Sequence, residues 1–204
     1  MIRSYKLSDE ELSQLDDLRL TYSGGDLWAL DDTALVRKRI KNHYIKEQDH
    51  TCCYCSRKIL TSNHRLWDLD HIVPRITHPN FCFEPKNIAA SCPDCNTIKS
   101  QSETLVNIRR KKFPDKSLDY KIIHPHFDKY TDHIAKLHLI YIAKTAKGQK
   151  TIEMCGLLRF TVNFVKWDVD PTDNRFEAEL SAILTGSRDN AQEALHTLSK
   201  IFHN

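Results

Sequence analysis

The chain is poor in glycine, with five, and it has seven prolines among 204 residues. Such usage excludes a collagen-like or Gly-rich array and leaves no low-complexity linker. Long apolar runs are also missing. The longest, around Leu139 to Ala143, is far short of the ~20 residues that a spanning helix needs. The opening MIRSYKLSDEEL contains no apolar h-region and turns acidic at once, so no signal peptide, no membrane association and a cytoplasmic location are expected. Nor is one sign of charge dominant: 30 Lys and Arg against 27 Asp and Glu leave +3, which by itself says little about partners.

What is present is globular usage, 40% apolar and 28% charged, in a length that suits one ordinary domain or two small ones. Charge is unevenly spread. Residues 1 to 50 are slightly acidic, whereas Lys99 to Lys121 is basic, with Arg109, Arg110, Lys111 and Lys112 in one run. Such a run is either a solvated basic loop or a contact to a phosphate backbone. Seven cysteines, an odd number, argue against a disulfide framework in a cytosolic chain.

Periodicity supplies a coarse map. Ser8-Asp9-Glu10-Glu11 reads as a capping box opening a helix with Leu12, Leu15, Leu18 and Leu20 as its apolar positions. A second helix is expected from near Asp31-Asp32 to about Gln48, with Leu35, Val36, Ile40 and Ile45 inward. Leu66 to Ile72 and Asn87 to Ala90 read as short strands, and a helix is expected from Pro93. Ala135 to Lys144 alternates as a half-buried strand, Thr145 to Lys150 reads as a Gly-containing turn, and Thr151 to Met154 as a returning strand. Leu157 to Trp167 is ambiguous; Phe160, Phe164 and Trp167 fall at near-helical spacing and suit an apolar face better than base stacking. Two closing helices are expected over Glu177 to Leu184 and Asn190 to Phe202.

The cysteines carry the first chemistry. Cys52-x-x-Cys55 and Cys92-x-x-Cys95 form two knuckles separated by thirty-six residues. Two residues between thiolates let each tight turn bite one ion, and two such pairs supply the tetrahedral sulfur set of a closed structural Zn²⁺ site. A single CxxC would leave redox chemistry open. The long intervening segment implies that the zinc clamps the ends of an inserted unit. Cys53 is offset from the spacing, and Cys82 and Cys155 read as small buried hydrophobes.

Between and beside the knuckles lie Asp70-His71-Ile72-Val73-Pro74, then Asn87-Ile88, then Cys95-Asn96-Thr97-Ile98-Lys99. In this order the blocks resemble the zinc-stapled HNH nucleases: CxxC, DHIxP, an Asn opening a short strand, and CxxCNxxK. The resemblance covers residues 52 to 100, roughly a quarter of the chain. It implies a ββα-metal core and a metal-dependent endonuclease that hydrolyses DNA phosphodiesters, leaving a 5′-phosphate and a 3′-hydroxyl. By the same resemblance His71 is the general base, Asp70 and Asn96 hold a catalytic Mg²⁺ or Mn²⁺, Asn87 steadies the His71 loop, and Lys99 contacts a phosphate. Elementary chemistry agrees: imidazole titrates near ~6.5, and oxygen donors suit a hard cation.

Two departures stand out. The third family position is often His and here is Asn96, an HNN form; and Arg75 to Lys86 lacks the glycines common after DHIxP, with His78 read as structural.

The flanks are less specific. His124-Pro125-His126-Phe127-Asp128, Asp132-His133-Ile134 and the segment from Lys147 to Ile152 resemble the carboxyl half of PtuB-like HNH effectors of bacterial anti-phage systems. That likeness implies a partner ATPase. Loop and cap roles are expected for these histidines rather than a second metal site.

The expected architecture is α+β: a helical segment over 1–50, a zinc-stapled HNH core over 51–105 and a mixed α/β accessory region for partner or DNA binding over 106–204. Two other readings compete with a partner-controlled nuclease: a stand-alone restriction-type endonuclease, and a non-catalytic zinc-ribbon module that binds nucleic acid or protein.

Overall fold

A computed structural model describes residues 1–22, 26–61, 63–162 and 177–202. It is a mixed α+β chain with two small two-stranded sheets. Two compact units are present, one of Met1–Ala135 with Ile142–Leu157, the other of Lys136–Tyr141 with Leu158–Asn204.

In the first unit, helix α1 (Asp9–Thr21) starts on the expected capping box. The Ser8 hydroxyl accepts from the Glu11 amide at 3.2 Å, and the Glu11 carboxylate accepts from the Ser8 amide at 3.0 Å. Of its leucines only Leu15 is buried; Leu20 is 84% exposed. Helix α2 (Ala34–Glu47) buries Val36, Ile40, Tyr44 and Ile45, residues four or so apart on one face. Leu35, expected inward, is 68% exposed because it sits a quarter-turn off that face, and Tyr44 takes the inward position instead.

Strands β1 (Asp68–His71) and β2 (Ile88–Ser91) pair antiparallel, with Asp68 opposite Ser91 and His71 opposite Ile88. Helix α3 (Pro93–Lys99) follows directly, with proline in its first turn. Four-residue strands cannot hold themselves. Here they are fixed by a core in which Leu15, Val36, Ile40, Tyr44 and Ile45 pack on Trp67, Cys82, Phe83, Ile88 and Ala90. Gln48 completes the sheet: its buried amide donates to the Ala90 carbonyl at 2.7 Å and accepts from the Ala90 amide at 2.8 Å, as a third strand would.

Two sequence expectations in the carboxyl half are corrected. Ala135 to Lys144 is not one strand but a hairpin, β3 (Ile134–Leu137) and β4 (Ile140–Ala143), reversed at His138, whose φ is 51°. Helix α4 (Tyr130–His133) leads into it. The expected turn and returning strand at 145–154 are a helix, α5 (Ala146–Met154), capped by the Thr145 hydroxyl, which accepts from the Gly148 amide at 3.1 Å.

Two of the carboxyl histidines bond within the fold. His126 Nε2 donates to the Ile88 carbonyl at 2.9 Å, and His133 Nδ1 lies 2.8 Å from the Thr145 hydroxyl.

In the second unit, α6 (Glu177–Thr185) and α7 (Arg188–Phe202) are the two closing helices, packed on each other. Phe164 and Trp167 lie outside the described residues. No helix among the described residues is long and apolar enough to cross a membrane.

Candidate metal centre and cleft

The four paired cysteines converge. Their sulfurs lie within 4.8 Å of one another, all buried, with Cys55 and Cys92 Sγ 4.0 Å apart. Four thiolates at ~2.3 Å from one tetrahedral ion stand about 3.8 Å from each other, so the set fits zinc and is too wide for disulfides. Tight turns build it: the Ser56 amide donates to the Cys52 carbonyl at 3.0 Å, and the Cys92 amide donates to Cys52 Sγ at 3.3 Å. Burial alone would raise the Cys52 thiol, but hydrogen bonds from Cys53 and the other three cysteines hold it well below its ordinary value. In the same cluster the Cys55 and Cys95 thiols are pushed up by their sulfur neighbours, so it is the convergence of the four sulfurs that marks a metal site. Among the described residues this is the one group of three or more His, Cys, Asp or Glu side chains able to hold a metal.

Beside it, β1, α3 and the segment at Trp28 wall a cleft of about 340 Å³ lined by Asp70, His71, Asn96, Trp28 and Arg75 among others. His71 ends β1 and is buried. Its Nε2 lies 2.9 Å from the Cys82 carbonyl, which can only accept, so that nitrogen carries the proton and Nδ1 is left as the basic atom. Trp28 packs edge-on at 4.3 Å between centroids. Burial pushes the imidazole down to about 4, outweighing the Cys82 carbonyl, so His71 is neutral at pH 7.

Asp70 is two residues from Asp68 on the same face of β1. Its carboxylate accepts from the Tyr54 hydroxyl and from Lys99 Nζ, which lies 3.2 Å from Oδ1 and 3.1 Å from Oδ2. Burial raises its pKa, and the Lys99 charge and the Tyr54 hydrogen bond oppose that rise. Asn96 lines the same cleft, and its Nδ2 donates to Asp68 Oδ2 at 3.0 Å. The amide oxygen of Asn96 has no partner among the described residues. Asp70 and Asn96 thus offer oxygen donors in one cleft, the donor type of Mg²⁺ or Mn²⁺, and a carboxylate has about four lone-pair positions for two or three such contacts. By donor type these residues fit a hard cation, while the Lys99 ammonium offsets the Asp70 charge that would hold it.

Asn87 has no exposed surface. Its amide oxygen accepts from the Val73 N–H at 2.8 Å, and its Nδ2 donates to the Val73 and Phe81 carbonyls at 3.1 and 3.0 Å. It ties together both ends of the loop whose Cys82 carbonyl holds His71.

Lys99 is placed otherwise than the sequence suggested. It is fully buried, with its ammonium on Asp70 and, at 2.9 Å, on the His71 carbonyl, so it presents no charge at the surface for a phosphate. Its spacing explains this: Cys95 and Lys99 are four apart on α3, and the face that turns Cys95 toward the zinc turns Lys99 inward too.

Arg109, Arg110, Lys111 and Lys112 form an exposed loop that does not line the cleft. Arg110 pairs with Asp119 at 2.6 Å, and the buried His78 donates from Nε2 to the Ile108 carbonyl at 3.1 Å.

Sequence reasoning missed four residues here. Tyr54, inside the first knuckle, reaches Asp70; Asp68 holds the Asn96 amide; Trp28 covers His71; and Asp26 pairs with Arg75 at the cleft rim. The alternation Asp68-Leu69-Asp70 on a strand was the one signal available for Asp68.

Comparison with known proteins adds one relative. Over 152 residues the chain is 24% identical to the Septu protein PtuB of Bacillus thuringiensis, an alignment covering 74% of this chain and 50% of PtuB. The chain therefore spans about half the length of that curated relative. No family model matches the chain. No solved structure matches it.

Proposed function

We propose that the chain is a metal-dependent endonuclease of the zinc-stapled HNH type, hydrolysing DNA phosphodiester bonds. We further infer that it acts as the nuclease of a bacterial anti-phage defence system beside a partner ATPase. The observation that carries the first reading is the meeting of Asp70, neutral His71 and Asn96 in one cleft, with His71 Nε2 fastened to a carbonyl so that Nδ1 is the free base. The distant likeness to the Septu protein PtuB supports the second.

In this reading Asp70 and the Asn96 oxygen would hold a catalytic Mg²⁺ or Mn²⁺. When bound, that ion supplies charge stabilisation at the scissile phosphate and the leaving oxygen. The remaining work belongs to side chains. His71 Nδ1 takes the proton of the attacking water, and its neutrality at pH 7 means that it is available to do so. Asp68 fixes the Asn96 amide so that its oxygen is the atom offered to the ion, and Asn87 and the Cys82 carbonyl hold the base in orientation. The zinc site supports α3 and the Tyr54 turn and takes no part in bond making. In this reading the exposed run of Arg109, Arg110, Lys111 and Lys112 would contact the DNA backbone.

The test is plasmid cleavage in Mg²⁺ or Mn²⁺ by zinc-loaded protein, alone and with the product of the neighbouring gene, wild type beside His71→Ala. Nicking or linearisation by the wild type, reduced roughly 10²–10⁴-fold in the variant, is expected. Equal cutting by both proteins would refute the base assignment. Folded, zinc-loaded protein inert in every combination would leave a binding module as the better reading.

A further inference from the structure

The charged side chains that line the cleft are each paired. Asp70 is the one carboxylate among the described residues lining it, and the buried Lys99 ammonium lies within 3.2 Å of both its oxygens. Arg75, the one Lys or Arg among those lining residues, is paired with Asp26. Asp68, behind Asn96, is not among the residues lining the cleft and bonds the neutral Asn96 amide. Lys99 cannot swing away: it has no exposed surface and also donates to the His71 carbonyl. A dication drawn to Asp70 would therefore meet a carboxylate whose charge a fixed ammonium has already offset.

Sites for Mg²⁺ or Mn²⁺ commonly combine one or two carboxylates with the phosphates of the substrate. With the charge of Asp70, the one carboxylate lining the cleft, offset by Lys99, the phosphate must supply the negative charge the cation needs. We propose that the cation and a DNA phosphate enter this cleft as a mutually dependent pair, with Lys99 as the residue that keeps the cation out until the phosphate arrives. Lys99 is thus a positioning and gating residue, not a phosphate contact. The inference rests on the nuclease reading and adds its control: free metal does not load the empty cleft, and DNA does. Linkage makes the dependence reciprocal, so Mn²⁺ tightens DNA binding by the factor by which DNA tightens Mn²⁺ binding.

The experiment uses full-length, zinc-loaded His71→Ala protein, so that DNA is not consumed. Zinc stays in its thiolate site in the presence of Mn²⁺, which ranks below it in affinity. Mn²⁺ binding is followed by the loss of the free-ion electron paramagnetic resonance signal, with and without a short duplex, against duplex alone as the blank. DNA affinity is followed by fluorescence anisotropy over the same Mn²⁺ series. The duplex is expected to tighten one Mn²⁺ per chain by at least about tenfold, with the same factor in anisotropy. Lys99→Met on the same background is expected to bind Mn²⁺ without DNA at least about tenfold more tightly than its parent, because the repulsion is gone.

Tight one-to-one Mn²⁺ binding without DNA, unchanged by the duplex, overturns the inference and leaves the nuclease reading standing. So does a folded Lys99→Met that binds Mn²⁺ no better than its parent. If Lys99→Met does not fold, the duplex dependence of the parent and the anisotropy factor decide the matter alone. An Asp70→Asn variant separates the two levels. If Mn²⁺ binding in the presence of duplex is the same with and without Asp70, the cleft holds no cation and the nuclease reading falls with this one.

Discussion

Asn87 offers the sharpest separation of scaffold from chemistry. Replacing it with alanine removes the acceptor of the buried Val73 N–H and the donor to the Val73 carbonyl, neither of which has another partner among the described residues. The Phe81 carbonyl loses a donor too, but keeps the Glu84 amide at 3.2 Å. Two orphaned buried backbone groups cost about 1–3 kcal/mol each, so the variant should lose about 4 kcal/mol. For a domain of this size that is a fall in Tm of about 8–16 °C. Asn87→Asp is the discriminating companion. Its carboxylate still accepts from Val73 but faces two carbonyls without a hydrogen to give, so it should melt no higher than Asn87→Ala. Thermal unfolding by circular dichroism in excess Zn²⁺, with plasmid cleavage on the same samples, is the assay. Cleavage should fall along with stability, because Val73 and Phe81 bracket the loop that presents the Cys82 carbonyl to His71. An Asn87→Ala protein melting within about 2 °C of the wild type would refute the hydrogen-bond reasoning, whatever its activity.

Other perturbations test other parts. Cys92→Ser, or prolonged chelation of the wild type, should abolish zinc content and cooperative unfolding together, since structural zinc contributes on the order of 10 kcal/mol of folding free energy; a zinc-free variant with a cooperative melt would remove the structural role. Burial holds His126 at about 4, against ~6.5 when unfolded, so between those values the unfolded chain binds the extra proton and stability falls as pH drops. Between pH 7 and pH 5 that one group should withdraw about 2 kcal/mol, and urea titrations of His126→Gln should show a pH dependence shallower by that amount.

What could be read from the sequence was chemistry with a fixed spacing. Two CxxC pairs need no fold to be recognised, since thiolate geometry dictates the gap. The adjacency of Asp70 and His71 at a strand end and of Asn96 to Cys95 put three polar groups near one zinc knuckle, and in the fold they line one cleft. Lys99 misled because Asn96 and Lys99 are three apart and Cys95 and Lys99 four apart on the same short helix. Both spacings share a face, and only the packing of α3 decides whether that face meets solvent or core.

Gly148 misled differently. A glycine among polar residues reads as a turn, yet here it lies inside α5, where an added Cβ would come within 2.0 Å of the His133 carbonyl oxygen. It is glycine for close approach, not for backbone freedom. His138 reverses the β3–β4 hairpin at positive φ without the Gly or Asn that signals such a turn. Trp28 and Tyr54 were illegible as site residues because their roles depend on partners forty-three and sixteen residues away.

The cleft is assembled from elements that are individually too short to persist: two four-residue strands and a seven-residue helix. Each is held from outside the block that carries the motifs. The first fifty residues contribute Leu15, Val36, Ile40, Tyr44 and Ile45 beneath β2, the Gln48 amide along its edge, and Trp28 over His71. Residues beyond 105 contribute the His126 bond to the Ile88 carbonyl and the Tyr130 hydroxyl, which donates to the Tyr54 carbonyl at 3.0 Å. The zinc sulfurs join the Tyr54 turn to the start of α3. Tyr54 in turn reaches Asp70, and α3 carries Asn96 and Lys99. Loss of zinc or of the amino-terminal helices therefore acts on the same three side chains by two routes. A hydroxyl deletion at Tyr54 would act on Asp70 alone, with the sulfurs undisturbed.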